Sequence, residues 1–145
     1  MQVSYKKAWT AMVLSTLCFC WLCGCQAVQK DKPIADEATK AFHARLDNGD
    51  LDAIYNDAAP EFKQATSKKD FDELFQAIHR KLGKVKTTEG HGWNVNTETS
   101  ATIVVLNFNT EFEGGKGTET FTWRVNDRKA SLVSYNVNSN ALVVK

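Results

Sequence analysis

Apolar residues recur along this chain with two different periods, and the change between them divides the sequence. From Pro33 the positions Ile34, Ala38, Ala41, Phe42 and Leu46 repeat at helical spacing and stop at Asn48-Gly49. This predicts a first amphipathic helix over 33–48, with Pro33 in its first turn. Asp50 can cap a short second helix through Leu51, Ile54 and Tyr55, and Pro60 forces a break or restart before Glu61-Phe62. Ser67-Lys68-Lys69-Asp70 resembles a capping box and opens a third helix with the stripe Phe71, Leu74, Phe75, Ile78 and Leu82, ended by Gly83.

After Gly83 the period falls to two. Val85 to Thr97 predicts a first strand, with Gly90 and Gly92 marking a bulge or bend. Thr102 to Glu113 predicts a second, with Gly114-Gly115-Lys116-Gly117 as the hairpin loop. Thr118 to Val125 is the third, with Phe121, Trp123 and Val125 on one face and Thr120, Thr122 and Arg124 on the other. Asn126-Asp127 turns into a fourth strand over Ala130 to Val137. Helices followed by an antiparallel meander predict an α+β domain with helices packed on one face of a four-stranded sheet.

The first 24 residues follow other rules. Lys6 and Lys7 precede an apolar run from Ala8 to Leu22, the form of an export signal; interrupted by Thr10, Ser15 and Thr16, it is short for a membrane span. Leu22-Cys23-Gly24-Cys25 resembles the lipobox of bacterial lipoproteins, in which a small residue precedes a cysteine that takes a diacylglycerol. That resemblance implies cleavage between Gly24 and Cys25 and lipidation of Cys25. An ordinary secretory cut after Ala27 is the alternative. The chain then divides into a signal peptide (1–24), a lipidated cysteine with a polar tether (25–32) and one domain (33–145). A multiply acylated cysteine anchors stably, so the expected partner is a membrane held without crossing it. Gln26 after the cysteine resembles the outer-membrane sorting pattern, which implies the outer membrane facing the periplasm.

Removal of residues 1–24 from the 145 leaves 121, enough for one core without disulfides, and all four cysteines lie at or before Cys25. Thiol redox chemistry and cysteine-ligated zinc are thereby excluded from the mature part. The net charge of +1 becomes −1 on losing Lys6 and Lys7, a balance that argues against general nucleic-acid binding. The cations His79, Arg80, Lys81, Lys84 and Lys86 read as the end of a helix that complements its macrodipole.

The long helix ending in Asn-Gly-Asp, the short helices and four curved strands resemble the nuclear-transport-factor-2-like, or cystatin-like, cone fold. More narrowly, Phe42 to Lys86 and the Gly-Trp-Asn-Val-Asn segment at 92–96 resemble small bacterial lipoproteins of that fold. Enzyme members of such folds imply an acid-base pair in a pocket, for which His43, His79, His91, Asp47, Asp50, Asp52 and Asp57 are the available groups. His43 reads as structural, His79 as exposed, His91 as an accessible ligand contact, and the aspartates as helix caps. Nucleophile elbow, phosphate loop and His-Glu metal motifs are missing, so no catalytic residue, metal ligand or cofactor is assigned. The distinctive feature is Asn-x-Asn on three strands: Asn94 with Asn96, Asn107 with Asn109, and Asn136 with Asn138. Alternation puts each pair on one face, either a solvated surface or a candidate binding face for a sugar, peptide or envelope protein. Trp93 and Trp123 read as core. The expectation is a non-enzymatic binding or accessory lipoprotein, with a small pocket enzyme or a homodimer through the sheet as alternatives.

Overall fold

The computed structural model describes the backbone of residues 23–143 and the side chains from Lys30 onward. Four helices precede four strands: α1 (Cys23–Asp47), α2 (Leu51–Asp57), α3 (Pro60–Ala65), α4 (Lys68–Leu82), β1 (Val85–Thr97), β2 (Thr102–Phe112), β3 (Gly115–Asn126) and β4 (Lys129–Ser139), closed by a short α5 (Asn140–Val143). The strands form one antiparallel sheet in the order β1-β2-β3-β4. The domain is therefore α+β, with helices covering one face of a curved, open sheet. Curvature follows from irregularities at Val85/Thr87, Gly90/Gly92 and Thr122/Trp123, because a bulge bends and twists its strand.

α1 is longer than its apolar period suggests. It runs back through the expected tether to Cys23 and carries Pro33 in its interior, where the ring removes one backbone donor. Its core face keeps Phe42 and Leu46, with Ile34 and Ala38 half-buried against the core, but turns further round to bury Ala35, Thr39 and His43 and leaves Ala41 exposed. The reason lies in two polar side chains that sequence patterning counts as outward but that find partners inside. Asp50 caps α2 by accepting from the Ala53 N–H at 3.3 Å, and Ser67 caps α4 by accepting from the Asp70 N–H at 3.2 Å. Leu74 does not join the α4 stripe; it is 53% exposed, because Phe71, Phe75, Ile78 and Leu82 already fill the face towards the core.

The principal core joins Phe42, Leu46, Phe71 and Phe75 of the helices to Leu106, Phe121, Trp123 and Leu132 of the sheet. A smaller cluster of Ile78, Leu82 and Phe112 closes the end beneath α5. The β2–β3 loop is shorter than the four glycine-rich residues expected, since Gly115, Lys116 and Gly117 belong to β3 and only Glu113 and Gly114 turn. Gly114 is pressed against the end of α4, donating its N–H to the Leu82 carbonyl at 2.7 Å, and a Cβ there would lie 2.4 Å from the Lys81 carbonyl oxygen. Contact of the hairpin with the helix, more than the turn's own conformation, fixes that glycine.

Candidate functional site

On β2 the even-numbered residues from Thr102 to Phe112 face the helices, and on β3 the odd-numbered ones from Glu119 to Val125 do. The opposite face is therefore set by register. Thr120 of β3 pairs with Asn107 on one side and Asn136 on the other, and Thr118 likewise lies between Asn109 and Asn138. Asn94 and Asn96 of β1 fall opposite Val105 and Ile103 on the same outer face. All six asparagines thus share that face, but they form two groups. Four cluster around Thr118 and Thr120, whereas the β1 pair lies further along the sheet, beyond two aliphatic side chains.

Around Thr118 the face is concave. A groove of about 460 Å³ runs between Glu89, Asn109, Thr118 and Asn138, with Lys116 and Glu111 at its end. Thr120 donates its hydroxyl to Asn107 Oδ1 at 2.8 Å, which directs the amide NH₂ of Asn107 away from that bond. Arg124 is engaged by Glu61 of α3 at 2.5 Å, so its charge is already answered. The groove therefore offers amides and hydroxyls beside the carboxylate of Glu89, with Glu111 and Lys116 at its end. Such a surface suits hydroxyl-rich or backbone-like ligands that both donate and accept.

The inner face holds a second polar constellation. Glu119 is 1% exposed, on the same face as Phe121, Trp123 and Val125. Its carboxylate accepts from His43 Nε2 at 3.0 and 3.2 Å, from the Thr110 hydroxyl at 2.5 Å and from the Tyr135 hydroxyl at 2.7 Å. Burial alone, the largest influence, would push this carboxyl up; the hydrogen bond and charge of His43, with the two hydroxyls, outweigh it and hold the group below its ordinary value of 4.5. Facing an ionised carboxylate, His43 Nε2 carries its proton. Burial and the adjacent Glu119 charge push the Tyr135 phenol well above 10.0. Four elements meet here: α1, β2, β3 and β4. A carboxylate with its lone pairs so occupied and no exposed surface is a structural tie, and substrate cannot reach it without the domain opening.

The remaining candidates serve the fold. Asp47 accepts from the Val85 N–H at 3.2 Å and so pins the start of β1 to the end of α1; Asp52 pairs with Lys68 at 2.7 Å and Asp57 with Arg45 at 2.9 Å. These three bind neighbouring elements, unlike Asp50, which caps. His79 is half-buried with Nε2 sealed and unpartnered, contrary to the expected exposure, because α4 turns that side of its last turn towards α1 and α2. His91 is exposed on the β1 irregularity. Trp93, expected in the core, is 52% exposed at the edge strand, beside a cavity of about 540 Å³ that also touches Lys32 and Phe108. Trp123 is buried, stacked on Phe121 at 6.0 Å and donating Nε1–H to Thr39 at 2.9 Å.

Among the described residues no group of three or more histidine, cysteine or acidic side chains could hold a metal ion, and no helix is long and apolar enough to cross a membrane. Gly24 and Cys25 lie on the described backbone, the side chain of Cys25 lies outside the described ones, and the expected signal peptide lies, over residues 1–22, outside the described residues. Fold and surface define a small α+β domain of cone-like build with a polar outer sheet. The chain belongs to the family described as "Protein of unknown function (DUF3887)", whose family model matches residues 39–134, from α1 into β4. Comparison with curated proteins finds no match. The matched span takes in His43 and Glu119 and ends just before Tyr135 and the last asparagine pair.

Proposed function

We propose that this is a lipid-anchored cell-envelope protein of the binding or accessory type, nuclear-transport-factor-2-like in fold. An acylated Cys25 holds it to the outer membrane facing the periplasm, and the outer sheet face takes a sugar, a peptide or an envelope protein. The observation that carries the binding role is the register that gathers Asn107, Asn109, Asn136 and Asn138 on one face, with Asn109 and Asn138 lining the groove and Asn107 and Asn136 flanking Thr120 next to it. Asparagine is poor in strands by propensity, so four of them flanking two threonines call for a reason beyond the fold. Sealing of Glu119 and His43 supports binding without turnover, since Glu119, the one buried carboxylate among the described residues, has its oxygens taken by His43, Thr110 and Tyr135.

Two measurements test this reading. Cys25→Ser should move the protein from the membrane to the soluble fraction of its own host; membrane association that persists would sink the anchor. In the same host, in-cell crosslinking through the outer face should give an adduct that Asn107→Asp with Asn109→Asp removes, while Tm stays within a few degrees. Surface changes of this kind usually cost under about 0.5 kcal/mol, and Thr120 keeps an acceptor. An adduct unchanged in the double variant would show that the groove is only solvated surface.

A further inference from the structure

On the opposite side of the molecule from the asparagine groove, α1, α2 and the β3–β4 turn enclose a cavity of about 270 Å³. Its floor is apolar and drawn from the core: Phe42, Ile54, Trp123 and Leu132, none more than 5% exposed. Space exists because α1 presents the small Ala38 and Ala41 there instead of larger side chains. Its rim is cationic. Arg45, Arg128 and Lys129 stand around the mouth against a single lining carboxylate, Asp57.

The pairing inside that rim is unequal. Arg45 holds Asp57 at 2.9 Å and also donates to the Ala53 carbonyl at 3.4 Å. Lys129 reaches the same carboxylate only at 3.9 Å. Arg128 sits with Asp127 at positive φ, 62° and 47°, so the turn projects from the sheet end and carries its cation to the cavity mouth. One carboxylate cannot neutralise three cations, and the surplus positive charge lies directly above a buried aromatic and aliphatic floor. From this juxtaposition we infer that the cavity is a binding site for a small carboxylate carried on a short apolar body, the body seated on Phe42 and Trp123 and the carboxylate between Arg128 and Lys129. The volume lies just below the roughly 300–1,000 Å³ of drug-sized ligand cavities, which restricts the occupant to a compact molecule.

The probe is phenylacetate, with uncharged 2-phenylethanol as its control, titrated calorimetrically into the full chain held in neutral-lipid nanodiscs, with empty discs as the blank. Phenylacetate should bind at least about tenfold more tightly than the alcohol. Arg128→Gln with Lys129→Gln should reduce the difference to about twofold, because each partly exposed charge contributes a factor of about two to five. Both side chains are exposed, Arg128 on the turn and Lys129 at the start of β4, so the double variant should melt with the parent. Ala41→Leu, at an exposed helical position that tolerates leucine, should block both ligands by filling the mouth. Equal affinity for acid and alcohol, binding unaffected by the rim variant or by Ala41→Leu, or heats no greater than the blank would each overturn the assignment.

Discussion

Glu119 stands where an aliphatic residue would complete the inner face of β3, and its ionisation couples stability to pH. The folded carboxyl lies below 4.5. The unfolded chain therefore binds the proton more readily, and the contribution is fully present above the unfolded value and lost as pH falls through the folded one. Urea midpoints for the parent should accordingly drop on acidification below about pH 4.5 more steeply than those of Glu119→Gln, whose side chain does not titrate there. Parallel curves would mean that the carboxylate contributes nothing through its charge. Glu119→Ala leaves His43, Thr110 and Tyr135 facing an empty space and should cost about 3–5 kcal/mol at neutral pH, measured by denaturant unfolding. This residue was legible: alternation carried back from Val125 through Trp123 and Phe121 arrives at position 119. A charged side chain in the register of an apolar face is the signal, and it is easily passed over because the strand reads convincingly without it. His43 is buried and bonded to Glu119, a partner 76 positions away in sequence, where local pattern has no reach.

Elements were legible where their ends carry chemistry of their own. Asp50, Ser67 and Gly83 mark helix boundaries through hydrogen bonds or a left-handed backbone, and those boundaries appear in the structure where the sequence places them. The β2–β3 hairpin was read too long because four glycine-rich residues suit a loop, while the docking of that turn on α4 is tertiary and leaves no local mark. Two glycines separate these causes. Gly114→Ala should lose about 1–3 kcal/mol, because the new Cβ would meet the Lys81 carbonyl at 2.4 Å and backbone must move. Gly49, at φ 73° with open space around it, is constrained only by its own conformation. Gly49→Ala should cost about 1 kcal/mol and Gly49→Asn less, since asparagine visits that region more readily. Thermal melts of the three variants decide; equal losses at 49 and 114 would mean that hairpin contact is unimportant. The exposed Trp93 escaped prediction for a related reason: helix coverage gives out along the edge strand, and no property of the residue itself announces where.

For the molecule as a whole, the sequence conveyed the order of elements and the sheet's two faces, because a period of 3.6 giving way to a period of 2 dictates helices over a meander. It did not convey which cavities survive packing, since those depend on small residues such as Ala38 and Ala41 meeting a turn some ninety positions later. The buried tie has one more consequence, and it concerns time. His43, Thr110, Glu119 and Tyr135 come from α1 and three strands, so their network closes only once the helix has settled on a finished sheet. Interactions absent from the folding transition state act on the rate of escape from the native state. Tyr135→Phe, which removes one hydroxyl and little volume, should therefore steepen the loss of native protein by speeding unfolding several-fold while leaving the refolding rate almost unchanged in stopped-flow traces. A slow exit from the folded state protects against proteases and makes the buried glutamate a determinant of lifetime.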